Sequence, residues 1–279
     1  MMEIMLAVFS SMCSVGQSAF TKAASAKGQN ASSMGFNTMK VGIGFAFLAI
    51  ISFNNMQNHL PTLLFALCYG IALFFSTLFG YKALMNGSMA LTSLLVSYSV
   101  IIPVLFGVVF LHETVGITQI FGFLLLLISM YMLNKKTAAV QTSGSWFIFV
   151  AITFICNGIC SVVQKYHQCL YPSSYCKEFM IYSLFVTFLL FLVTSLFKHE
   201  KKSVSLAGYA AVAGILMGLG NYLVLTLSSK MNATILFPIV SILSMLFNII
   251  VSRLCFKDRF SKIQLAGIGM GVISVLLIK

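Results

Sequence analysis

Acidic residues are nearly missing from this chain of 279 residues: it has only five Asp and Glu. All five (Glu3, Glu113, Glu178, Glu200 and Asp258) fall at the ends of apolar runs. Paired carboxylates at membrane depth are therefore absent. Charge of either sign makes up 8% of the sequence, against roughly 25% in an ordinary soluble domain. Disorder is excluded, because it requires low hydrophobicity and high charge. A soluble globular enzyme is disfavoured, since so few polar groups cannot cover its surface. Catalytic signatures are lacking too. There is no HExxH, no pair of Asp-rich motifs and no Walker loop. The four histidines (His59, His112, His167, His199) fall at run ends or in loops, so a Ser–His dyad at membrane depth has no base. No CxxC pairs with a second one, and neither a metal nor a cofactor is expected.

What the chain has instead is apolar length: 59% of its residues are hydrophobic. They fall into ten runs, 4–22, 34–53, 61–82, 88–111, 117–134, 146–166, 178–197, 205–228, 232–255 and 261–278. A helix needs about 20 residues to cross a bilayer and satisfies its backbone internally. Alternating polarity, the mark of transmembrane strands, is missing. Met1-Met2-Glu3 lacks a basic start, so the first run reads as a span and not a signal peptide. The expected fold is all-α, a membrane protein of ten transmembrane helices with both termini on one side.

The halves repeat. A shift of 143 residues lays Cys13-Ser14 on Cys156-Asn157, Ser18 on Ser161, Lys22 on Lys165 and Phe36 on Phe179. A shift of 145 lays Glu113 on Asp258, Gln119 on Gln264, Gly122 on Gly267 and Ser129 on Ser274. Two five-helix repeats, 1–137 and 138–279, follow. Because five is odd, the second must enter the membrane from the opposite side, which makes the repeats inverted.

Gly80-Tyr81-Lys82-Ala83-Leu84, then Ser88-Met89-Ala90, Pro103-Val104, Glu113, Gln119 and Gly122 resemble the end of an EamA-type half. Asp258, Gln264 and Gly267 repeat part of the pattern. There are departures: Pro238 sits earlier in its run than Pro103, and His112 and Lys257 stand where the family often has Gly. The resemblance spans the chain. It implies a drug/metabolite-transporter permease of the cell (inner) membrane that exports small organic metabolites such as amino acids. A lipid-linked-sugar flippase of the same fold is the alternative within the class. A non-transporting sensor or assembly subunit is the alternative outside it. The expected partners are a small-molecule substrate and membrane lipids, with a homodimer open. The net charge of +12 is not read as nucleic-acid binding, because the basic residues sit at run ends facing headgroups.

Polar residues inside the runs are costly against lipid and so are candidates for a substrate cavity. Asn157, Ser161 and Gln164 are spaced i, i+4, i+7 and share a helix face with Lys165 beside them. Ser14, Ser18, Thr21 and Lys22 repeat the arrangement, and Gln17 adjoins it. Ser and Thr alone would serve as well as packing glue. Ser97 and Tyr98 precede Pro103, whose ring frees the carbonyl of Ser99; Pro238 frees that of Thr234. Both prolines are candidate hinges, with a simple kink as the alternative. Tyr182, Asn221 and Tyr222 are further candidates for touching substrate. Lys40 is the one cation well inside a run. It either snorkels to headgroups or attracts a substrate carboxylate or phosphate.

Glu113 and Asp258 are expected to favour the N-termini of the helices that follow them. The glycines Gly42/Gly44, Gly214/Gly218 and Gly267/Gly271 are expected at close helix contacts. Four basic residues fall on the termini side and twelve on the other, which by the positive-inside rule puts the termini outside the cytoplasm. The family resemblance implies the reverse, and the charge count is preferred. Cys169 and Cys176, in the loop 167–177, would then face an oxidising compartment that could join them.

Overall fold

A computed structural model describes residues 2–27, 33–52, 56–57, 59–87, 89–134, 144–197, 206–256 and 261–278. Its described elements are helical: α1 (Met2–Lys27), α2 (Ser33–Ser52), α3 (Leu60–Asn86), α4 (Met89–Ser97), α5 (Ile101–Phe110), α6 (Ile117–Asn134), α7 (Gly144–Leu170), α8 (Cys176–Phe197), α9 (Ala207–Ser228), α10 (Ala233–Phe256) and α11 (Lys262–Ile278). A 3-10 turn over Tyr98–Val100 joins α4 to α5. The described residues of each of the ten apolar runs fall mainly on helix, the run 88–111 being split by that turn. Among the described residues seven helices are long and apolar enough to cross a membrane; Leu95–Phe110 and Ile117–Ser129 are shorter apolar stretches.

The burial pattern is that of a membrane protein. Large apolar side chains such as Ile50, Phe110, Phe197 and Leu254 face outward, while Asn37, Lys40, Gln164, His167 and Glu178 are buried. Lipid gives no hydrophobic drive for helices to associate, so close packing and interhelical hydrogen bonds must hold them.

The two halves are interlocked. Helices α1 and α2 pack on α9 of the other half, and α7 and α8 pack on α3; α6 pairs with α11. The crossings match in detail. A Cβ on Gly214 would strike the carbonyl of Lys40, and one on Gly70 would lie 2.9 Å from that of Ser183. Gly44 meets the Gly214 carbonyl so closely that a Cβ would stand 2.6 Å from it. At the corresponding place in the second half, Thr187 donates its hydroxyl to the Gly70 carbonyl at 3.0 Å. Lys40 thus corresponds to Ser183, Gly44 to Thr187 and Gly70 to Gly214, which extends the sequence repeat through the middle of each half.

Three local expectations are corrected. α7 runs on to Leu170, so His167 and Cys169 are helical and the connection to α8 is only 171–175. Ser173 and Tyr175 there have φ of 56° and 53°, and the Gln168 amide accepts from Ser173 N–H at 3.0 Å. Cys169 and Cys176 are both free thiols. Cys176 is buried and donates to Gln168 Oε1 at 3.3 Å, so its sulfur is engaged inside while Cys169 is exposed. The third correction concerns Glu113. Its carboxylate does not serve α6, the helix after it, but accepts from Ala233 N–H at 2.8 Å and Thr234 N–H at 2.9 Å at the start of α10. Asp258 lies outside the described residues.

Candidate functional site

Two adjoining polar cavities lie between the halves, about 230 and 260 Å³ in volume. They share Ser14, Ser18, Leu73, Ser93, Val96, Asn157 and Asn221, so both halves contribute to the common wall. The first extends to Gln17, Thr21, Lys40, Ser76, Thr77, Tyr81, Thr92 and Thr153. The second extends to Ser97, Ser99, Ser161, Gln164, Ser241, Ser244 and Asn248. Of the residues singled out in the sequence, Ser14, Gln17, Lys40, Ser97, Asn157, Ser161, Gln164 and Asn221 line this space. Tyr98, Tyr182 and Tyr222 do not. Tyr98 packs with the apolar residues around Phe237, and Tyr222 packs against the cluster around Phe179. Tyr182, on α8, lines neither cavity.

The shared helix face of α7 is real and its amides are oriented. Asn157 Oδ1 accepts from Ser76 Oγ at 2.8 Å. Gln164 Nε2 donates to the Tyr69 hydroxyl at 3.2 Å and to the Asn221 carbonyl at 3.5 Å. Several hydroxyls turn back onto their own helices: Ser18 donates to the Ser14 carbonyl, Thr21 to that of Gln17, and Ser161 to that of Asn157. Such back-bonding spends the proton and leaves oxygen lone pairs toward the cavity. Among the described residues the Oδ1 atom of buried Asn248 has no hydrogen-bond partner.

The prolines sit differently in the structure. Pro103 lies just after the 3-10 turn that interrupts its helix. The break reaches back to Ser97, whose carbonyl accepts from Ser241 Oγ of α10 at 3.0 Å. Pro238 lies within α10, which continues through it as one helix.

The lysines neighbouring the polar face are structural. Lys165 Nζ donates to the carbonyls of Met231 at 2.8 Å and Ser228 at 3.3 Å, and stands 3.5 Å from Glu113 Oε1. It caps the C-terminus of α9 while Glu113 caps the N-terminus of α10. Lys22 does the matching task in the first half, reaching the carbonyls of Leu84 at 2.5 Å and Gly87 at 2.7 Å. Lys40 is different. It is 2% exposed, so it does not snorkel.

Sequence reasoning passed over Ser76, Thr77, Thr92, Ser93 and Thr153, although each is a polar residue inside an apolar run. It also missed a chain of hydrogen bonds at the end of α7. Gln168 Nε2 lies 3.0 Å from His167 Nδ1, His167 Nε2 3.0 Å from Thr62 Oγ1, and Thr62 Oγ1 2.9 Å from His59 Nδ1. An amide donor on Nδ1 assigns the His167 proton to Nε2. Glu178 is also engaged, accepting from Gln57 N–H at 3.0 Å.

The model of the EamA-like transporter family matches this chain twice, over residues 1–135 and 144–279. A protein of solved crystal structure shares the fold, with a TM-score of 0.73 at 15% identity over 98% of this chain and 97% of that one. No curated protein matches the chain.

Proposed function

Because the chain belongs to the EamA-like transporter family, and so is a multi-pass membrane transporter, we propose that it moves a small organic metabolite, such as an amino acid, by alternating access. The observation that carries this reading is the polar space enclosed between the two interlocked halves. Ser14, Ser18 and Ser93 come from one half, Asn157 and Asn221 from the other. A pocket built from both halves changes its access when one half rocks against the other, and ten spans in two inverted repeats supply the two matching endpoints. Export is the proposed direction. The charge distribution supports termini outside the cytoplasm, and a C-terminal reporter that fluoresces only in the cytoplasm should stay dark; a bright cell would reverse the assignment.

A flippase would need the polar space to open sideways to lipid. The apolar cleft between α5 and α7, lined by Ile102, Leu105, Phe106, Val109, Phe110, Ile159 and Val162, shares no described lining residue with either cavity. This favours a soluble solute. The test is efflux and uptake of a labelled metabolite panel in proteoliposomes of the purified chain. Saturable flux of at least one solute is expected. Flux equal to that of protein-free vesicles across amino acids, organic acids, sugars and nucleosides would overturn the reading.

A further inference from the structure

We propose that Lys40 and Tyr81 form an anion subsite in the cavity, one that takes the carboxylate or phosphate group of a small acidic metabolite; this rests on the transporter reading above. Among the described residues, Lys22 and Lys165 also reach into the helix bundle, and both are accounted for. Lys22 and Lys165 donate to backbone carbonyls at helix ends, at equivalent positions of the two halves. Lys40 has no such partner. Among the described residues its ammonium makes no hydrogen bond and no ion pair, and the Phe36 ring lies 6.0 Å from it, centroid to nitrogen. A buried cation without a counter-charge is expensive, and the cost falls when an anion is brought to it.

A second orphan stands in the same corner. Among the described residues the buried Tyr81 hydroxyl has no hydrogen-bond partner, and its ring packs on Phe36 at 5.2 Å between centroids. Phe36 therefore touches both. Lys40 and Tyr81 line the first cavity and not the second, so two unused donors lie at one end of the polar space. An ammonium and a phenol together are a donor set for an oxyanion, and among the described residues no carboxylate lines either cavity.

The repeat sharpens the argument. Where the first half has Lys40, the second has Ser183, whose hydroxyl is spent on the Phe179 carbonyl at 2.6 Å. The shift of 144 that lays Gly70 on Gly214 also lays Tyr81 on Leu225. A structural role in the repeat would be filled on both sides, as the Lys22 and Lys165 roles are. The pair is present on one side only, as a subsite for one end of an asymmetric solute requires.

The experiment uses the full chain in phosphatidylcholine nanodiscs. Its sole tryptophan, Trp146, donates to Thr92 of the cavity wall at 3.2 Å, so its fluorescence reports on that wall. The probes are matched pairs: succinate and succinamide, glutamate and glutamine, glycerol phosphate and glycerol. At least one anionic member should bind about tenfold or more tighter than its neutral partner, the range of a charge-assisted hydrogen bond. Lys40→Met should abolish that preference, Lys40→Arg should keep most of it, and Tyr81→Phe should weaken the anion several-fold without touching the neutral member. Equal binding of both members of every pair, or a preference that survives Lys40→Met, overturns the subsite. Discs containing phosphatidylglycerol separate the sources. If that lipid alone gives a Lys40-dependent response and no soluble anion does, a headgroup is the occupant and the metabolite assignment falls. Lys40-dependent anion binding without flux in proteoliposomes would keep the subsite and sink the transport reading. Flux of neutral solutes with no anion preference would do the opposite.

Discussion

At the scale of single residues, the molecule separates polar groups that hold helices from polar groups that face the cavity. Asn157 does both. Its Oδ1 accepts from Ser76 at 2.8 Å, while the residue stays on the wall common to both cavities. Asn157→Ala removes one hydrogen bond, worth about 1 kcal/mol, and leaves the Ser76 hydroxyl beside cavity water. Melting should fall by only a few degrees while proteoliposome flux falls at least about tenfold; flux at the parent level would take Asn157 out of the site. Gly214 lies at the other extreme. A Cβ there meets the backbone of α2 at the Lys40 carbonyl, and backbone cannot rotate away as a side chain can. Gly214→Ala should cost about 1–3 kcal/mol through overpacking, read as a lower melting temperature. Which residues would line the site was legible for Ser14, Gln17, Asn157 and Gln164, because a polar group within an apolar run must face something other than lipid. Tyr182 and Tyr222 line neither cavity. Tyr182 and Tyr222 are amphipathic enough to sit in a wall or in a core, and only the packing of α3, α8 and α9 decides between them.

At the scale of elements, ends matter more than middles. The turn between α9 and α10 is closed by Lys165 on one side and Glu113 on the other. Their side chains are 7% and 8% exposed, and the charges stand 3.5 Å apart. Removing one member of a buried pair leaves the other uncompensated, at a cost of about 3–5 kcal/mol. Glu113→Ala should therefore destabilise strongly, for it also strips two N–H groups of α10 of their acceptor. Lys165→Met together with Glu113→Gln should be less harmful than the sum of the single changes, and a double-mutant cycle of melting temperatures gives the coupling. A purely additive cycle would show that the pair does not act as a unit. The cation of this device was legible as a repeat match, Lys22 on Lys165. The anion was not placed correctly. Sequence adjacency points Glu113 at α6, four residues on, whereas the N–H groups it binds come 120 residues later and from the other half. The helices themselves were readable because apolar length needs no knowledge of partners. The split at Tyr98–Val100 shows only as Pro103, and Pro238 shows the same signal without a split, in a helix packed against α1, α4 and α5.

At the scale of the whole molecule, the question is what drives the solute. A proton-coupled transporter commonly keeps a carboxylate at the substrate site, where it cycles between charged and neutral forms. Among the described residues, no Asp, Glu or His lines either cavity. The buried acids that are described have other work: Glu113 holds the start of α10 and Lys165, and Glu178 accepts from Gln57 N–H. His167 is tied into the chain from Gln168 to His59 and lines neither cavity. Among the described lining residues Lys40 is the charged one, and it attracts a solute but gives a proton gradient no acidic group to act on. Facilitated diffusion or exchange is the expected mode, with neutral, zwitterionic or anionic solutes favoured over lipophilic cations. In proteoliposomes, a solute that equilibrates through the protein should reach the same final internal concentration with and without an imposed pH gradient, after allowance for its own ionisation. Preloading with unlabelled solute should speed entry of the labelled form. Glu178→Gln should leave both results unchanged, since an amide oxygen can still accept from Gln57. Accumulation above equilibrium that follows the pH gradient and disappears in Glu178→Gln would make Glu178 the coupling group and overturn this account of the energetics.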